Sequence, residues 1–211
     1  MIDLRAWVDR VASVYAAGDW ADEARRARQE FRELTGRLLE EEEGSDALER
    51  ALHAFLEWYV LERSLAGGPT PLLRYAHERR EEVGEEGRAA LAALASAHRS
   101  LFELIALDGE RVELRDVLLG GAWEVHERRA MPGASVGDLF EARLVPLAGG
   151  MAFFGTHTFH PREAREAILA HCTAAIYQGK RRGDVLWELE RKRVKSLRYR
   201  HLPSPRIYAE Q

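Results

Sequence analysis

Apolar side chains recur every three or four residues through the first hundred positions, a spacing typical of amphipathic helices. Five stretches show this spacing: residues 3–17, 19–43, 45–66, 71–82 and 86–99. In the third stretch, the predicted inward positions are Leu48, Leu52, Phe55, Leu56 and Tyr59. Glycines separate the stretches, and Thr70-Pro71 is a favourable helix start. The pattern predicts a helical bundle in residues 1–100.

Beyond residue 100 the apolar and polar positions begin to alternate, as they do in half-buried strands. Phe102 to Leu107 is the first predicted strand. Asp108-Gly109 and Gly120-Gly121 are favoured hairpin turns, and Gly149-Gly150 is a further turn. The region 101–160 is therefore predicted to form five short strands, arranged as an antiparallel meander or small barrel.

Helical spacing returns at Pro161, where a helix is predicted to run to about Gln178. A last helix is predicted after Gly183 and extends to about Tyr199, while residues 201–211 are predicted to be extended. The apolar positions predicted to be buried are Ala164, Ile168, Cys172, Ala175, Ile176, Val185, Leu186, Leu189 and Leu197. The predicted fold class is α+β, with domains 1–100, 101–160 and 161–211.

The charge of the chain changes sign near residue 179. Residues 1–178 contain 21 Arg, no Lys and 31 acidic residues, a net charge of −10. Residues 179–211 contain 10 basic and four acidic residues, a net charge of +6. The three lysines of the protein, Lys180, Lys192 and Lys195, all lie in this basic tail. An acidic body with a basic tail predicts that the tail docks on an acidic partner.

Seven basic residues of the tail are the candidate binding residues: Lys180, Arg181, Arg182, Arg191, Lys192, Lys195 and Arg198. Arg191, Lys195 and Arg198 share one face of the predicted last helix. A solvated helix face without a partner explains the same pattern. If the face binds, an acidic protein is the favoured partner. Nucleic acid and anionic lipid are the alternatives, and Trp187, Tyr199 and Tyr208 are the side chains able to stack on bases.

Aromatic residues concentrate in the segment FLEWY (55–59). They span more than one helix face, which is typical of a core shared by two packed elements. Trp58 is also a candidate anchor for a protein partner, because aromatic side chains contribute much of the energy of interfaces.

No sequence motif indicates catalysis or cofactor binding. The chain contains no GxGxxG, GxxxxGK[ST] or GxSxG sequence. His157, His160, His171 and Cys172 fall within 16 residues but lack the paired spacing of structural zinc sites. We therefore predict neither a metal site nor a cofactor, and we expect Cys172 to be buried and unreactive.

Several features favour the cytoplasm. The longest apolar runs are too short to cross a bilayer, the N-terminus lacks the core of a signal peptide, and Cys172 is the single cysteine. We predict no membrane insertion, and association with a second copy of the chain stays open.

Two parts of the chain resemble a family of uncharacterised bacterial proteins. The first is FLEWYVLER (55–63) followed by GGPTPL (67–72), which is similar to the family pattern F-x-x-W-[FY]…G-x-T-P-L. The second comprises residues 114–130 and 136–155, which resemble the β-rich region that follows in the family. Some of those proteins carry a SEC-C zinc motif elsewhere. The resemblance covers residues 50–156 and implies helices followed by a small β domain, with no assigned activity. This chain lacks the Cys/His motif, so no metal function is implied.

Three functional hypotheses follow from these observations. The first is a non-enzymatic interaction or adaptor protein that binds an acidic partner through its basic C-terminal helix. The second is a nucleic-acid-binding protein that uses the same tail. The third is a small enzyme with its site on the polar face of the strands near His126, which would require a deep pocket and a neighbouring carboxylate.

Overall fold

The computed structural model of the chain describes residues 2–36, 45–127, 131 and 133–210. These residues form eight α-helices: α1 (Leu4–Tyr15), α2 (Ala21–Thr35), α3 (Ser45–Leu61), α4 (Pro71–Glu78), α5 (Glu85–Ala95), α6 (Arg165–Tyr177), α7 (Arg182–Arg198) and α8 (Ser204–Ala209). They also form five strands: β1 (His98–Asp108), β2 (Arg111–Asp116), β3 (Ala122–His126), β4 (Leu139–Leu147) and β5 (Gly150–Phe159). The α+β class predicted from the sequence is confirmed.

The chain divides into two compact units. The helical unit comprises the described residues of 1–33, 38–97 and 154–156. The sheet unit comprises those of 34–37, 98–153 and 157–211, so it contains most of the strands together with α6, α7 and α8.

The helices of the helical unit begin where local chemistry favours a start. The Asp3 side chain accepts a hydrogen bond from the Ala6 amide at 3.0 Å, and Thr70 accepts one from the Leu73 amide at 3.4 Å, with Pro71 in the first turn. The core of the unit is aromatic, with Phe55 stacked on Tyr59 at 5.7 Å between ring centroids.

Several expectations for the helical unit were wrong. Helices α4 and α5 end at Glu78 and Ala95 rather than near residues 82 and 99. Helix α2 ends at Thr35 rather than near Glu43, because Gly36 adopts a left-handed φ of +67°. Helix α3 ends at Leu61 rather than near Ala66. The side chains predicted to face inward on its first turns, Leu48 and Leu52, are about half exposed. The acidic run 40–43 lies outside the described residues.

The five strands follow the order β1-β2-β3-β5-β4, and β4 pairs back onto β1 to close the sheet. The pairs β1–β2, β1–β4 and β2–β3 are antiparallel. Strands β3 and β5 run parallel where Val125 lies opposite Met151. The sheet is therefore mixed, and the expectation of a purely antiparallel arrangement was wrong. Phe102, Leu114, Phe140 and Leu144 are fully buried in the cluster that fills the sheet interior.

Both hairpins predicted from glycine positions are present. Gly109 has a φ of +60° in the two-residue connection between Asp108 and Arg111. Gly120 and Gly121 have φ values of +76° and +91° in the longer connection between β2 and β3.

The three C-terminal helices pack through a buried cluster that includes Ile168, Cys172, Val185, Leu189 and Tyr208. The predicted burial of Cys172 is confirmed, and burial raises the pKa of its thiol to about 12. The predicted burial of two other apolar residues was wrong, because Ile176 and Leu197 lie near the ends of α6 and α7 and are about half exposed.

Residues 204–209 form helix α8, so the expectation of an extended segment over 201–211 was wrong. Pro205 lies in the first turn, where a helix tolerates proline. Ile207 and Tyr208 are buried, and their packing stabilises a segment with few helical turns of its own.

Among the helices that the structure describes, none has both the length and the apolar character that a bilayer crossing requires.

Candidate binding pocket

A pocket of about 490 Å³ opens among the C-terminal helices of the sheet unit. The residues that line it are His171, Ala174, Ala175, Gln178, Lys180, Glu188, Arg191, Lys192, Lys195, Ile207 and Glu210. We call this set the lysine pocket, because it contains all three lysines of the protein. Its size falls in the range of pockets that hold small ligands or single side chains.

The charges of the lysine pocket are predominantly positive. Its lining contains four basic side chains and two carboxylates, Glu188 and Glu210. The excess of positive charge favours an anionic ligand. Ala174, Ala175 and Ile207 supply the apolar part of the lining.

Glu188 organises one side of the pocket. The Lys180 ammonium donates to its two carboxylate oxygens at 2.7 and 3.0 Å, and His171 Nε2 lies 3.0 Å from Oε2. Burial raises the pKa of Glu188, but the hydrogen bond and charge of Lys180 outweigh burial, so this pKa lies below its usual range. Glu188 is therefore a charged, fixed component of the wall.

Glu210 organises the opposite side. The Lys192 ammonium donates to the backbone carbonyls of Tyr208, at 3.1 Å, and of Glu210. The Lys195 ammonium donates to the Glu210 carboxylate. Burial lowers the pKa of Lys192 below its usual range, against the opposing effect of the two glutamates of the pocket.

The histidine of the pocket is mainly neutral near pH 7. Burial lowers the pKa of His171, and the positive charge of Lys192 lowers it further. Its ring therefore does not add to the positive charge at that pH.

The structure brings together four of the seven predicted basic residues: Lys180, Arg191, Lys192 and Lys195. Arg191 is exposed, and its guanidinium donates to the Leu34 carbonyl at 3.1 Å. Arg191, Lys195 and Arg198 all lie on α7, and Arg198 is the one of the three that does not line the pocket.

The other predicted basic residues have different surroundings. Arg181 forms a bidentate pair with Asp184 at 2.8 and 3.0 Å on the exposed surface. Arg182 Nη1 lies 3.0 Å from His98 Nδ1 in a partly buried contact. Neither side chain lines the lysine pocket.

The aromatic candidates are mostly buried. Trp58 is 5% exposed and packs against Phe31, with 5.4 Å between ring centroids, in the helical unit. Trp187 is buried beneath the Arg99 guanidinium, and Tyr208 is fully buried. Stacking of nucleic-acid bases on Trp187 and Tyr208 is therefore blocked in this conformation, whereas Tyr199 is exposed.

The histidines and the cysteine singled out by the sequence have separate roles. His160 donates to or accepts from the Tyr208 hydroxyl through Nδ1 at 2.8 Å, His157 packs against the Phe153 ring, and His171 lines the pocket. Across the described ranges, no three histidine, cysteine or acidic side chains converge as ligands for a metal ion.

His126 lies 2.9 Å from a carboxylate oxygen of Glu110, but both side chains are more than half exposed. Such an exposed pair does not form the deep pocket that the enzyme hypothesis requires.

Sequence reasoning missed His171, Glu188 and Glu210 as pocket residues. Glu210 follows α8, a segment for which the sequence predicts an extended conformation. No local pattern therefore indicates that Glu210 contacts Lys195. His171 had been considered only as a metal ligand. The clustering of the lysines is the feature of the sequence that points to this pocket.

The comparisons with known proteins give one match. A family model described as Family of unknown function (DUF7986) matches residues 26–184. No curated protein and no solved structure matches the chain. The resemblance to proteins that carry a SEC-C motif stays a prediction.

Proposed function

We propose that this chain, which belongs to the Family of unknown function (DUF7986), is a non-enzymatic interaction protein whose lysine pocket accepts an acidic side chain of a protein partner. The observation that carries the proposal is the convergence of Lys180, Lys192 and Lys195 on one pocket. A cytoplasmic location, predicted from the short apolar runs, the N-terminal sequence and the single cysteine, goes with this proposal.

The distribution of charge supports an acidic partner. Residues 1–178 carry a net charge of −10, so an anionic partner is attracted to the tail and repelled by the rest of the chain. Outside the pocket, Arg181 pairs with Asp184 and Arg193 pairs with Glu190. Inside it, Lys180 pairs with Glu188 and Lys195 with Glu210. The lysine pocket is a concave surface of the tail in which four basic side chains accompany two carboxylates.

The dimensions and lining of the pocket support binding of a side chain. Its apolar wall suits the aliphatic part of an acidic side chain, and its ammonium groups suit the carboxylate. Nucleic acid is the alternative partner. It is less favoured because two of the three candidates for stacking on bases, Trp187 and Tyr208, are buried, although Tyr199 is exposed.

Replacing Lys192 and Lys195 together with glutamine is expected to weaken binding of a fluorescently labelled Glu-rich peptide about tenfold, since two partly exposed charge contacts are worth about 1.4 kcal/mol together. The measurement is fluorescence anisotropy at two salt concentrations. Affinity should fall as salt rises, because the charges are only partly buried.

Arg181→Gln is the matched control, because it removes one positive charge of the same tail outside the pocket. It should change peptide affinity less than Lys192→Gln alone or Lys195→Gln alone, each of which also removes one charge. An equal loss in the control would show that the tail attracts anions diffusely and that the pocket has no special role. Displacement of the peptide by double-stranded DNA at low concentration would favour nucleic acid as the partner.

A further inference from the structure

We propose that Glu210 is an internal pseudo-ligand of the lysine pocket, and that the partner binds by placing its own carboxylate where the Glu210 carboxylate now lies. This inference rests on the proposed function and specifies both the chemistry of the ligand and how the pocket is regulated.

Glu210 already makes the contacts expected of a bound acidic residue. Its carboxylate accepts from the Lys195 ammonium, and its backbone carbonyl accepts from the Lys192 ammonium. Two of the three lysines thus contact one residue. The hydrogen bond and charge of Lys195 lower the pKa of the Glu210 carboxyl, so it is charged at neutral pH and competes directly with an incoming anion.

The Glu210 side chain is free to leave the pocket while the helix before it stays in place. Helix α8 is held by Ile207 and Tyr208, which are buried, and by the 2.8 Å hydrogen bond between the Tyr208 hydroxyl and His160. Glu210 follows that helix in an extended conformation, with φ −63° and ψ 135°, and its side chain is 47% exposed. An exposed ion pair of this kind is weak, so exchange with another carboxylate costs little.

Glu188 differs in each of these respects. Its side chain is 23% exposed, it lies within α7, and it contacts both Lys180 and His171. The pocket therefore contains one fixed carboxylate and one exchangeable carboxylate. Lys195 is the group that this exchange releases to the ligand, because Lys192 keeps its backbone acceptors when the Glu210 side chain leaves.

The same contacts favour a carboxylate over a phosphate as the ligand group. The Lys195 ammonium donates to a single side-chain carboxylate, and Glu188 keeps its negative charge in the pocket wall. Glu210 balances the charge of Lys195 with a single negative charge, and a monoanionic carboxylate replaces it one for one. Ala174, which is exposed, provides apolar contact for the short aliphatic stem that carries the carboxylate.

Glu210→Gln tests this inference as a gain of affinity. Removing the competing carboxylate is expected to strengthen binding of the Glu-rich peptide about two- to fivefold. Glu166→Gln is the matched control, because this exposed glutamate lies in the same unit and outside the pocket. It removes an equal charge and should leave peptide affinity nearly unchanged.

Competition by small anions identifies the ligand group and its source. Succinate should displace the peptide at lower concentration than inorganic phosphate at equal ionic strength. If succinate alone binds as tightly as the peptide does, a small dicarboxylate is the ligand and the protein partner is overturned. If phosphate displaces the peptide better than succinate, the carboxylate assignment is wrong.

The outcomes separate this inference from the proposed function. If the peptide binds neither the native chain nor the Glu210→Gln variant, the proposed function fails. If the peptide binds and the lysine replacements weaken it, but Glu210→Gln behaves like Glu166→Gln, the proposed function stands and the pseudo-ligand is overturned.

Discussion

Replacing Asp116 with alanine is expected to lower the free energy of unfolding of the sheet unit by about 3–5 kcal/mol, the range for removal of one member of a buried charged network. The Asp116 side chain is fully buried at the end of β2. Its carboxylate accepts hydrogen bonds from Ser100 Oγ at 2.7 Å and from the amides of Leu118 and Leu119 at 3.0 Å. The substitution leaves these donors without their acceptor.

His98 extends the Asp116 network to helix α7. Its Nε2 lies 2.7 Å from Asp116 Oδ2, and its Nδ1 lies 3.0 Å from Arg182 Nη1. Arginine can only donate, so Nδ1 accepts and Nε2 carries the proton that is donated to Asp116. The imidazole thus links β1, the end of β2 and α7.

Chemical denaturation measures the effect of Asp116→Ala. Asp184→Ala is the control, because Asp184 forms a more exposed ion pair with Arg181 in the same unit, and its loss should cost about 0–1 kcal/mol. If Asp116→Ala and Asp184→Ala unfold at the same denaturant concentration, Asp116 is not the centre of a buried network.

The stability of the sheet unit should fall by about 3 kcal/mol between pH 6.5 and pH 4 through His160 alone. Burial lowers the pKa of His160 from 6.5 to about 4, the charge of Arg193 contributes in the same direction, and Glu190 opposes it. Within this pH window the unfolded chain binds a proton at His160 and the folded chain does not. Acidification therefore favours unfolding, and the contribution levels off below pH 4.

The His160 prediction is tested by measuring the free energy of unfolding against pH in two variants. One carries Tyr208→Phe alone, which removes the hydroxyl partner of the imidazole, and the other carries Tyr208→Phe together with His160→Phe. The additional change His160→Phe should flatten the loss of stability between pH 6.5 and pH 4, whatever its effect at pH 7. His77→Gln, at an exposed position, controls for the loss of a histidine. An unchanged slope in the His160→Phe variant would show that His160 is not the group responsible.

The period of the apolar pattern predicted the class of fold, because it reports which face of an element is buried. It was less informative at the ends of elements. Ile176 continues the stripe of Ile168 and Cys172, but α6 ends one residue later and Ile176 is exposed. The parallel contact of Val125 with Met151 depends on how the sheet closes, which local alternation does not encode.

The polar contacts of the sheet unit depend even more on tertiary structure. Asp116 continues the inward phase of Val112 and Leu114, yet the partners that make its burial tolerable come from β1 and the turn after β2. For the pocket, charge clustering predicted the region, whereas the pairing of Lys195 with Glu210 required α8, a helix stabilised by tertiary packing.

The measurement that tests the central claim most directly is the reactivity of the lysine amines toward an acylating reagent, mapped by mass spectrometry. Because Lys180, Lys192 and Lys195 are all the lysines of the chain and all line one pocket, each modified lysine reports on that pocket. On addition of the Glu-rich peptide, we expect the acylation rates of the three lysines to fall together, in proportion to the fraction of protein bound. Unchanged lysine reactivity at a peptide concentration that saturates binding would place the interaction elsewhere and contradict the proposed function.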